Sequence, residues 1–279
     1  MTTVLDILDK GTAYLEKRGI EDARRNMQML VAHELGCTRM ELYVRFDEPI
    51  DESRLEPLRE SLKKRGEGVP VQHLLGSVFF RSHEFKVDAR ALIPRPETEE
   101  LAEWLSKNLS LQEDSTILDM GTGSGCLGLS LAAEFPMAQT TLADISPDAL
   151  ELARENASAN DITNVAFVES DLFSAFKGQQ FDLIVANLPY VPEGEELAPE
   201  VRHDPVLALF SGKDGLDLIR RFVPEAPAHL SPGGTLAMEI GIGQSAETER
   251  LLADASFTDV LTLKDLSGIP RFPIAKTPG

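Results

Sequence analysis

Apolar residues recur every three or four positions in two early stretches of the chain, residues 4–15 and 27–35. This spacing is that of one face of an α-helix, and Gly19 and Gly36 follow the two stretches where helices would end. A third stretch begins after Asp51, which could cap a helix that runs to the next glycine. No residue types suited to catalysis stand out here. The pattern predicts a small bundle of helices, for which docking of a protein partner is the candidate role.

The pattern changes after Gly68 and Pro70. Apolar residues at 78–80 and 85–87 flank a short polar turn, which is typical of a β-hairpin. The next segment, 94–100, places two prolines before a row of acidic residues, as at the rigid start of a helix. The hairpin is therefore predicted to join the helical bundle to a second part of the chain.

From residue 115 onward, short strand-like runs alternate with helical patterns. This alternation predicts an α/β fold, a doubly wound Rossmann-like sheet that is mostly parallel and ends in an antiparallel hairpin. The segment 191–215 is long and rich in proline, glycine and acidic residues, which favours a functional lid at the carboxyl edge of the sheet. The predicted strands are 116–120, 140–145, 165–169, 182–186 and 235–240. One predicted helix ends near residue 109, two span 126–135 and 148–159, and one follows residue 241. The terminal hairpin would pair 260–263 with 272–274.

The overall charge narrows the class of substrate. The 279 residues include 46 acidic and 27 basic side chains, a formal net charge of −19. Binding to nucleic acid draws most of its strength from basic side chains on phosphates, so this balance argues against a DNA or RNA substrate. A local basic patch within the acidic total stays open as an alternative.

The cysteines and histidines show no metal-ligand spacing, which fits a reduced enzyme without a metal site. Cys126 follows a glycine-rich loop but has no evident base nearby, so we expect it to pack a helix. The N-terminus lacks the pattern of a signal peptide, and no apolar run approaches the length of a membrane span. We expect a soluble, cytoplasmic protein that binds neither membrane nor nucleic acid directly.

A glycine-rich loop follows the predicted strand 116–120 and leads directly into a helix. Glycines allow a tight turn and the close approach of a ligand. At the end of the next strand, Asp144 could accept hydrogen bonds from both hydroxyls of a ribose. At the end of the third strand, Asp171 could accept from the amine of an adenine while Leu172 covers a face of the ring. These positions predict an adenosine-containing cofactor, and its loop would consist of Gly121, Thr122, Gly123, Ser124 and Gly125.

The same loop also fits a dinucleotide fingerprint, because Gly123, Gly125 and Gly128 have the required spacing and Asp144 follows. On this motif alone, an NAD-dependent enzyme stays a rival hypothesis. Close packing of a helix is the alternative role for Gly128, and a turn cap is the alternative role for Asp144.

The tetrapeptide Asn187-Leu188-Pro189-Tyr190 ends the fourth predicted strand, at the sheet edge where the glycine loop lies. An amide nitrogen is a poor nucleophile because its lone pair is delocalised into the carbonyl. The Asn187 side-chain oxygen and the Leu188 backbone carbonyl could each accept one N–H of a substrate NH₂ and so aim its lone pair. Pro189 restrains the residue before it, and Tyr190 could stack on the planar group. We infer methyl transfer onto an amide or amino nitrogen, with a plain turn after the strand as the alternative.

These residues resemble the HemK/PrmC family, the N5-glutamine methyltransferases of peptide chain release factors. The resemblance covers nearly all of the chain. The segment with Pro94-Arg95-Pro96 and the loop after Tyr190 are its more specific parts, whereas methyltransferases at large share the glycine loop. It is carried by residues 73–76, 92–99, 118–125, 187–190, 204–205, 208–209, 212–216 and 265–268.

The resemblance implies S-adenosylmethionine as methyl donor and the glutamine of a release factor's Gly-Gly-Gln motif as acceptor. It also implies a helical substrate-recognition domain over residues 1–75, a hairpin linker over 76–92 and a methyltransferase domain over 93–279. Its catalytic residues would be Asn187, Leu188, Pro189 and Tyr190, with Asn187 also touching the cofactor.

Two features depart from the family pattern. The family usually has Asn-Pro-Pro-Tyr, and Leu188 keeps the needed carbonyl but lacks the φ restraint of proline. Pro224 and Pro227 interrupt what is usually a continuous helix, and the sequence offers no account of them.

Three functions stay open at this point. The first is a protein-glutamine methyltransferase acting on release factors or, alternatively, on a ribosomal protein. The second is an amino methyltransferase acting on a flipped nucleic-acid base, which would use the same Asn-x-Pro-Tyr geometry and which the charge argues against. The third is a non-catalytic adaptor that binds the cofactor, which the intact Asn187 argues against.

Overall fold

The computed structural model of the protein describes residues 2–279, and these form two compact units. The helical unit contains the described residues up to Ser77 together with Leu197–His203. The α/β unit contains Val78–Glu196 and Asp204–Gly279. One short segment from the middle of the sequence thus belongs to the helical unit, which no pattern in the sequence predicts.

The helical unit confirms the predicted helices and adds a short one. Thr3 caps the first helix through reciprocal hydrogen bonds with Asp6, and Gly36 closes the second in a left-handed conformation. Asp51 does precede the third helix, but its side chain makes no capping hydrogen bond, so that detail of the prediction is wrong. The helices are α1 (Val4–Lys17), α2 (Ala23–Leu35), α3 (Glu52–Gly66) and α4 (Val71–Leu75).

A buried arginine binds the inserted segment within the helical unit. Arg65, at 1% exposure, donates to the Asn26 side-chain oxygen at 2.7 Å and to the Val69 carbonyl at 3.2 Å. Its guanidinium also pairs with the carboxylate of Glu200, which lies in the segment Leu197–His203. A buried charge is tolerated only when it is paired and hydrogen-bonded, so these contacts fix the segment to the helices.

The α/β unit is built on a seven-stranded sheet in the order β5-β4-β3-β6-β7-β9-β8. The neighbouring strands from β5 to β7 are parallel, and β9 runs antiparallel to both β7 and β8. The strands are β1 (Ser77–Phe80) and β2 (His83–Lys86), which form a separate hairpin, then β3 (Thr116–Met120), β4 (Gln139–Asp144), β5 (Val165–Glu169), β6 (Phe181–Ala186), β7 (Leu230–Met238), β8 (Thr258–Lys264) and β9 (Pro270–Lys276). The predicted Rossmann-like class and its terminal antiparallel hairpin are confirmed.

The centre of the sheet places several loops at one edge. Strand β3 lies between β4 and β6, so the chain order reverses there and the carboxyl ends of the strands leave a crevice. Ile117 and Leu118 on β3 are fully buried on opposite faces, as are Leu183 and Ile184 on β6. Helices cover both faces: α5 (Pro96–Asn108), α6 (Cys126–Glu134), α7 (Pro147–Ala159), α8 (Asp217–Glu225) and α9 (Ser245–Asp254).

Two stretches differ from the sequence-based expectation. Strand β7 begins at Leu230, before Pro232, because the pairing with β6 continues across a register shift. Pro224 lies in the last turn of α8, where it has no N–H to donate to the carbonyl four residues earlier, and the chain continues as a 3₁₀ turn that contains Pro227. None of the helices within residues 2–279 is long and apolar enough to cross a membrane.

Candidate active site

A cavity of about 280 Å³ opens at the carboxyl ends of the central strands. Its walls are the loops that follow β3, β4, β5 and β6, joined by residues 90–98 and 205–208. Of the residues predicted from the sequence, ten line it: Gly121, Thr122, Gly123, Ser124, Asp144, Asp171, Leu172, Asn187, Leu188 and Pro189. Gly125 and Tyr190 do not form part of this lining.

The glycine loop is held against the neighbouring strand. The backbone N–H groups of Gly121 and Thr122 both donate to the Ala143 carbonyl, at 2.8 and 3.0 Å. Gly121 has a positive φ of 72°, and a Cβ there would lie 2.9 Å from the Leu188 side chain. At Gly125 a Cβ would meet Leu129 at 2.9 Å, so this glycine serves packing at the start of α6.

A buried carboxylate lies beneath the glycine loop. Asp119 Oδ2 accepts from the Thr122 hydroxyl at 2.5 Å and from the Gly128 N–H at 2.9 Å. Its burial raises the pKa of Asp119 to about 6. A Cβ on Gly128 would lie 2.6 Å from the same oxygen. The contact with Asp119 therefore explains Gly128, whose role is the close packing that the sequence left open.

Asp144 makes the contacts of a turn cap, and its role towards a ribose stays a prediction. One carboxylate oxygen accepts from the Gly123 N–H at 2.9 Å, and the other accepts from the Ser146 N–H at 2.9 Å. The side chain thus caps the turn after β4 and also faces the cavity. Burial raises the pKa of Asp144, although the backbone donors partly offset this rise.

The loop after β5 is paired with an arginine of α8 that the sequence analysis did not single out. Arg221 on α8 donates to both oxygens of Asp171, at 2.9 and 2.8 Å, and both side chains are about half exposed. Leu172 is buried and, like Asp171 and Arg221, lines the cavity. The Asp171 carboxylate already accepts from this guanidinium, and its predicted acceptance from an adenine amine stays a prediction.

The corner after β6 is fixed by contacts from distant parts of the chain. The Asn187 side-chain nitrogen donates to the Thr98 hydroxyl at 3.0 Å, and that hydroxyl donates to Glu239 Oε2 at 2.6 Å. The Tyr190 hydroxyl donates to the other oxygen of Glu239 at 3.2 Å. Burial of Glu239 raises its pKa, and burial beside that carboxylate raises the pKa of Tyr190.

A second brace holds the backbone of the same corner. The Gln244 side-chain nitrogen donates to the Tyr190 carbonyl at 2.9 Å, while its oxygen accepts from the Gly241 N–H at 2.8 Å. A Cβ on Gly215 would lie only 2.0 Å from the Tyr190 carbonyl, so glycine is required there. The ring of Tyr190 is directed to Glu239, and its predicted stacking on a substrate stays a prediction.

The segment predicted as a lid contributes part of the cavity wall. Asp204 accepts from the Ile93 N–H at 3.2 Å and from the Arg95 guanidinium at 2.6 Å. This buried carboxylate ties the proline-rich segment before α5 to the loop after β6. Leu207, beyond it, lines the cavity and is largely exposed.

The thiol of Cys126, which lines the cavity, is not placed to act as a nucleophile. Burial raises the pKa of the Cys126 thiol to about 12, so it packs at the start of α6 and does not ionise near neutral pH. Within residues 2–279 there is no group of three or more histidine, cysteine or acidic side chains placed to hold a metal ion.

The chain is similar to known proteins over both of its units. Residues 6–76 match the PrmC N-terminal domain family, and residues 97–206 match the Methyltransferase small domain family. A release factor glutamine methyltransferase of Geobacter sulfurreducens is 39% identical over 272 residues, which are 96% of this chain and 95% of the relative. One from Deinococcus radiodurans is 40% identical over 276 residues, which are 98% of each chain.

Solved structures support the same fold at lower sequence identity. A methyltransferase from Pyrococcus furiosus superposes with a TM-score of 0.54 at 15% identity and covers 82% of this chain and all of its own. The T. thermophilus 16S rRNA N2 G1207 methyltransferase, solved with AdoMet and guanosine, gives a TM-score of 0.53 at 22% identity. It covers 72% of this chain and 49% of its own. Together with the sequence relatives, these likenesses confirm the methyltransferase fold.

Proposed function

The chain belongs to the release factor glutamine methyltransferase family, and we propose that it methylates the side-chain amide nitrogen (N5) of the glutamine in the Gly-Gly-Gln motif of peptide chain release factors. The relatives that carry this name match it over nearly their whole length, so both units of the chain are included. The methyl donor is S-adenosylmethionine. The observation that carries the proposal is Asn187, placed with a fixed side chain in the wall of the cavity.

The residues present fit the donor. Gly121 and Gly123 have positive φ, which suits glycine, and their backbone lines the cavity together with Asp144, whose carboxylate we assign to the ribose hydroxyls. Asp171 and Leu172 line the same cavity, and we assign the adenine to them. The donor would supply an electrophilic methyl group on a sulfonium. The protein's own residues would hold the donor and orient the substrate.

Those residues act by orientation. The Asn187 amide nitrogen donates to Thr98, which leaves the amide oxygen to accept from the substrate NH₂. The Leu188 carbonyl is the proposed second acceptor, and two acceptors fix the plane and direction of an NH₂ group. Such alignment contributes about 7–11 kcal/mol in favourable cases. The reaction would join the methyl carbon to N5, break the bond between that carbon and the donor's sulfur, and release one N5 proton to solvent, while the residues of this corner contribute alignment.

We assign recognition of the protein substrate to the helical unit. Met40, Tyr43 and Val44 lie exposed on and beside one 3₁₀ turn of that unit, where exposed apolar side chains are characteristic of protein contacts. Met40→Ser with Val44→Ser should raise the KM for intact release factor several-fold and leave kcat and cofactor affinity unchanged. An unchanged KM would remove this turn from the recognition surface. Because release factors act in translation, the proposed site of action is the cytoplasm.

A nucleic-acid base is the second candidate acceptor for this corner, since a flipped base also presents a planar NH₂. The likeness to the rRNA methyltransferase is at 22% identity and concerns the fold alone. The net charge of −19 disfavours a nucleic-acid substrate. A ribosomal-protein glutamine differs from the proposed acceptor only in the protein that carries it.

The test is direct. Purified protein is incubated with methyl-labelled S-adenosylmethionine and, separately, release factor, ribosomal proteins, and duplex DNA or RNA. We expect label on the release factor, at the Gly-Gly-Gln glutamine by mass spectrometry. The matched control is a release factor in which that glutamine is replaced by asparagine, which should stay unlabelled. Label on a ribosomal protein or a nucleic acid, with none on release factor, would overturn the proposed substrate.

A further inference from the structure

Glu239 follows the last residue of β7 and is 2% exposed, yet the proposed reaction gives it no part. Its two oxygens accept from two hydroxyls, those of Thr98 and Tyr190. A buried carboxylate is costly, and replacing such a group by an apolar residue is often neutral or stabilising. Its presence beside the cavity therefore calls for a role other than packing.

With Glu239 ionised, the chemistry of the groups fixes the direction of each hydrogen bond from Glu239 through Thr98 to Asn187. A carboxylate only accepts, so both hydroxyls that reach Glu239 must donate to it. The Thr98 hydroxyl has a single proton, which it gives to Glu239 at 2.6 Å. Its oxygen can then only accept in the direction of Asn187, at 3.0 Å. The Asn187 amide must therefore turn its NH₂ edge to Thr98 and its oxygen to the opposite side.

We propose that Glu239 is a positioning residue: through Thr98 it fixes the Asn187 amide in the orientation that presents its oxygen to the substrate NH₂. This inference rests on the proposed function and deepens it. An asparagine amide has two flipped orientations of nearly equal shape, and in the flipped one an N–H donor would face the N–H donors of the substrate. The wrong orientation therefore repels the group that the right one aligns.

The same carboxylate also places Tyr190, so Glu239 braces both ends of the Asn187–Tyr190 corner. Thr98 is 89 residues from Asn187 along the chain, and Glu239 is 141 residues from Thr98. The contact between Thr98 and Glu239 is buried and the other two are partly buried, and in such surroundings hydrogen bonds are strengthened and an unmatched donor is costly. The orientation of the amide is thus set before any substrate is bound.

The decisive variants are Thr98→Val, which keeps the shape and removes the hydroxyl, and Thr98→Ser, which restores the hydroxyl. Thr98→Val should lower kcat on release factor by roughly 10–100-fold, less than complete loss of the acceptor would. Thr98→Ser should recover most of this loss. Glu239→Gln should fall between the two, because its amide accepts from one hydroxyl only. Affinity for S-adenosylhomocysteine, measured by calorimetry, should change by less than about threefold in all three variants.

A double-mutant cycle separates positioning from packing. If Thr98 acts through Asn187, then Thr98→Val added to Asn187→Ala should lower kcat no further, because groups that act as one unit are not additive. Losses that multiply, or a Thr98→Val enzyme with normal kcat, would overturn the inference. A wild-type enzyme that fails to label release factor would instead overturn the proposed function.

A second readout needs no methyl transfer. The Asn187 side-chain NH₂ signal can be assigned in an ¹⁵N spectrum by its absence in Asn187→Ala. We expect its proton towards Thr98 to be protected from hydrogen exchange in the wild type and in Thr98→Ser, and to exchange at least about tenfold faster in Thr98→Val. Equal exchange in all three proteins would show that Thr98 does not hold the amide.

Discussion

The two halves of the cavity rest on the same device, a buried carboxylate that accepts from a threonine hydroxyl. Asp119 underlies the glycine loop, and Glu239 underlies the Asn187–Tyr190 corner. The two carboxylates differ in how far along the sequence their hydrogen-bond partners lie. The partners of Asp119 lie three and nine residues away, whereas those of Glu239 lie 49 and 141 residues away. The half around the glycine loop, which we assign to the methyl donor and call the donor half, is thus a local structure. The half around Asn187–Tyr190, which we assign to the methyl acceptor and call the acceptor half, forms only once the whole α/β unit has folded.

This difference explains why many methyltransferases share the donor half, whereas the acceptor half is suited to one kind of acceptor group. A strand, a tight loop and a helix are sufficient to build an adenosine cradle, so this arrangement occurs across methyltransferases at large. Holding an amide NH₂ requires acceptors fixed from several elements at once. We expect changes in the acceptor half to affect the rate and changes in the donor half to affect cofactor affinity.

The largest effect is expected at Asn187. Asn187→Ala removes one of two acceptors for the substrate NH₂, and loss of one such contact lowers kcat by about 10²–10³-fold. Steady-state kinetics on release factor measure this, with calorimetry to show nearly unchanged cofactor affinity. Asn108→Ala at the end of α5, which removes a contact within its own helix, is the matched control and should behave as wild type. A large loss of cofactor affinity in Asn187→Ala would contradict the division between the halves.

Asp144 is the next position. Asp144→Ala removes the proposed ribose acceptor and two bonds that hold the turn after β4, at about 1–3 kcal/mol for unpaired buried groups. Affinity for S-adenosylmethionine should fall by roughly 5–150-fold, and wild-type protein should show no comparable affinity for NAD. Asp144→Asn, which retains one acceptor oxygen, should fall less. Calorimetric titration decides, and equal affinities in all three proteins would contradict the assignment.

Leu188 allows a further test of the difference between the two halves, because its side chain packs in the core while its backbone carbonyl is the proposed second acceptor. The side chain is 5% exposed and packs in the core beside Gly121, so Leu188→Pro should cost about 1–2 kcal/mol of stability. This corresponds to roughly 2–6 °C in Tm. The backbone carbonyl survives in both Leu188→Pro and Leu188→Ala, so kcat should stay within about threefold of wild type in each. Equal losses of kcat in Leu188→Pro and Asn187→Ala would mean that the side chain itself contacts the substrate.

The smallest effect is a pH dependence of stability in the donor half. Burial raises the folded-state pKa of Asp119 to about 6 from the ordinary 3.8 of an aspartate. A raised folded-state pKa contributes stability that is complete below the unfolded pKa and is lost as pH rises through the folded one. The free energy of unfolding should therefore lose about 1 kcal/mol from this group between pH 5 and 7. Urea titrations of wild type and Asp119→Asn measure it, and equal slopes for the two proteins would contradict it.

What could be predicted from the sequence follows the same division. The strand-loop-helix around Gly121 and the position of Asp144 were predicted closely, because spacing along one short stretch determines them. Thr98, Glu239 and Gln244 carry no local signal for this role, since the contacts through which they hold the Asn187–Tyr190 corner span 49 to 141 residues. Thr98 lies inside a segment singled out by resemblance, yet nothing in the pattern connects it to Asn187.

Other misses have equally physical causes. Strand β7 begins before Pro232, where a proline and two glycines disguise a strand that pairs across a register shift. Arg65 was hidden in a charged helix, because its burial depends on Asn26 and on Glu200 from far along the chain. The catalytic and cofactor roles of the individual residues, and the domain limits at 75 and 92, stay predictions.

The placement of Leu197–His203 has a consequence for synthesis on the ribosome. The first 77 residues leave the ribosome without the segment that pairs with Arg65, which is made roughly 120 residues later. At about 5–20 residues per second, this delay is on the order of 10 s. During that interval the arginine has only the acceptors from Asn26 and Val69. The helical unit can therefore finish folding only after strands β3 to β6 have been synthesised, although its first 77 residues are the first part of the protein to be made.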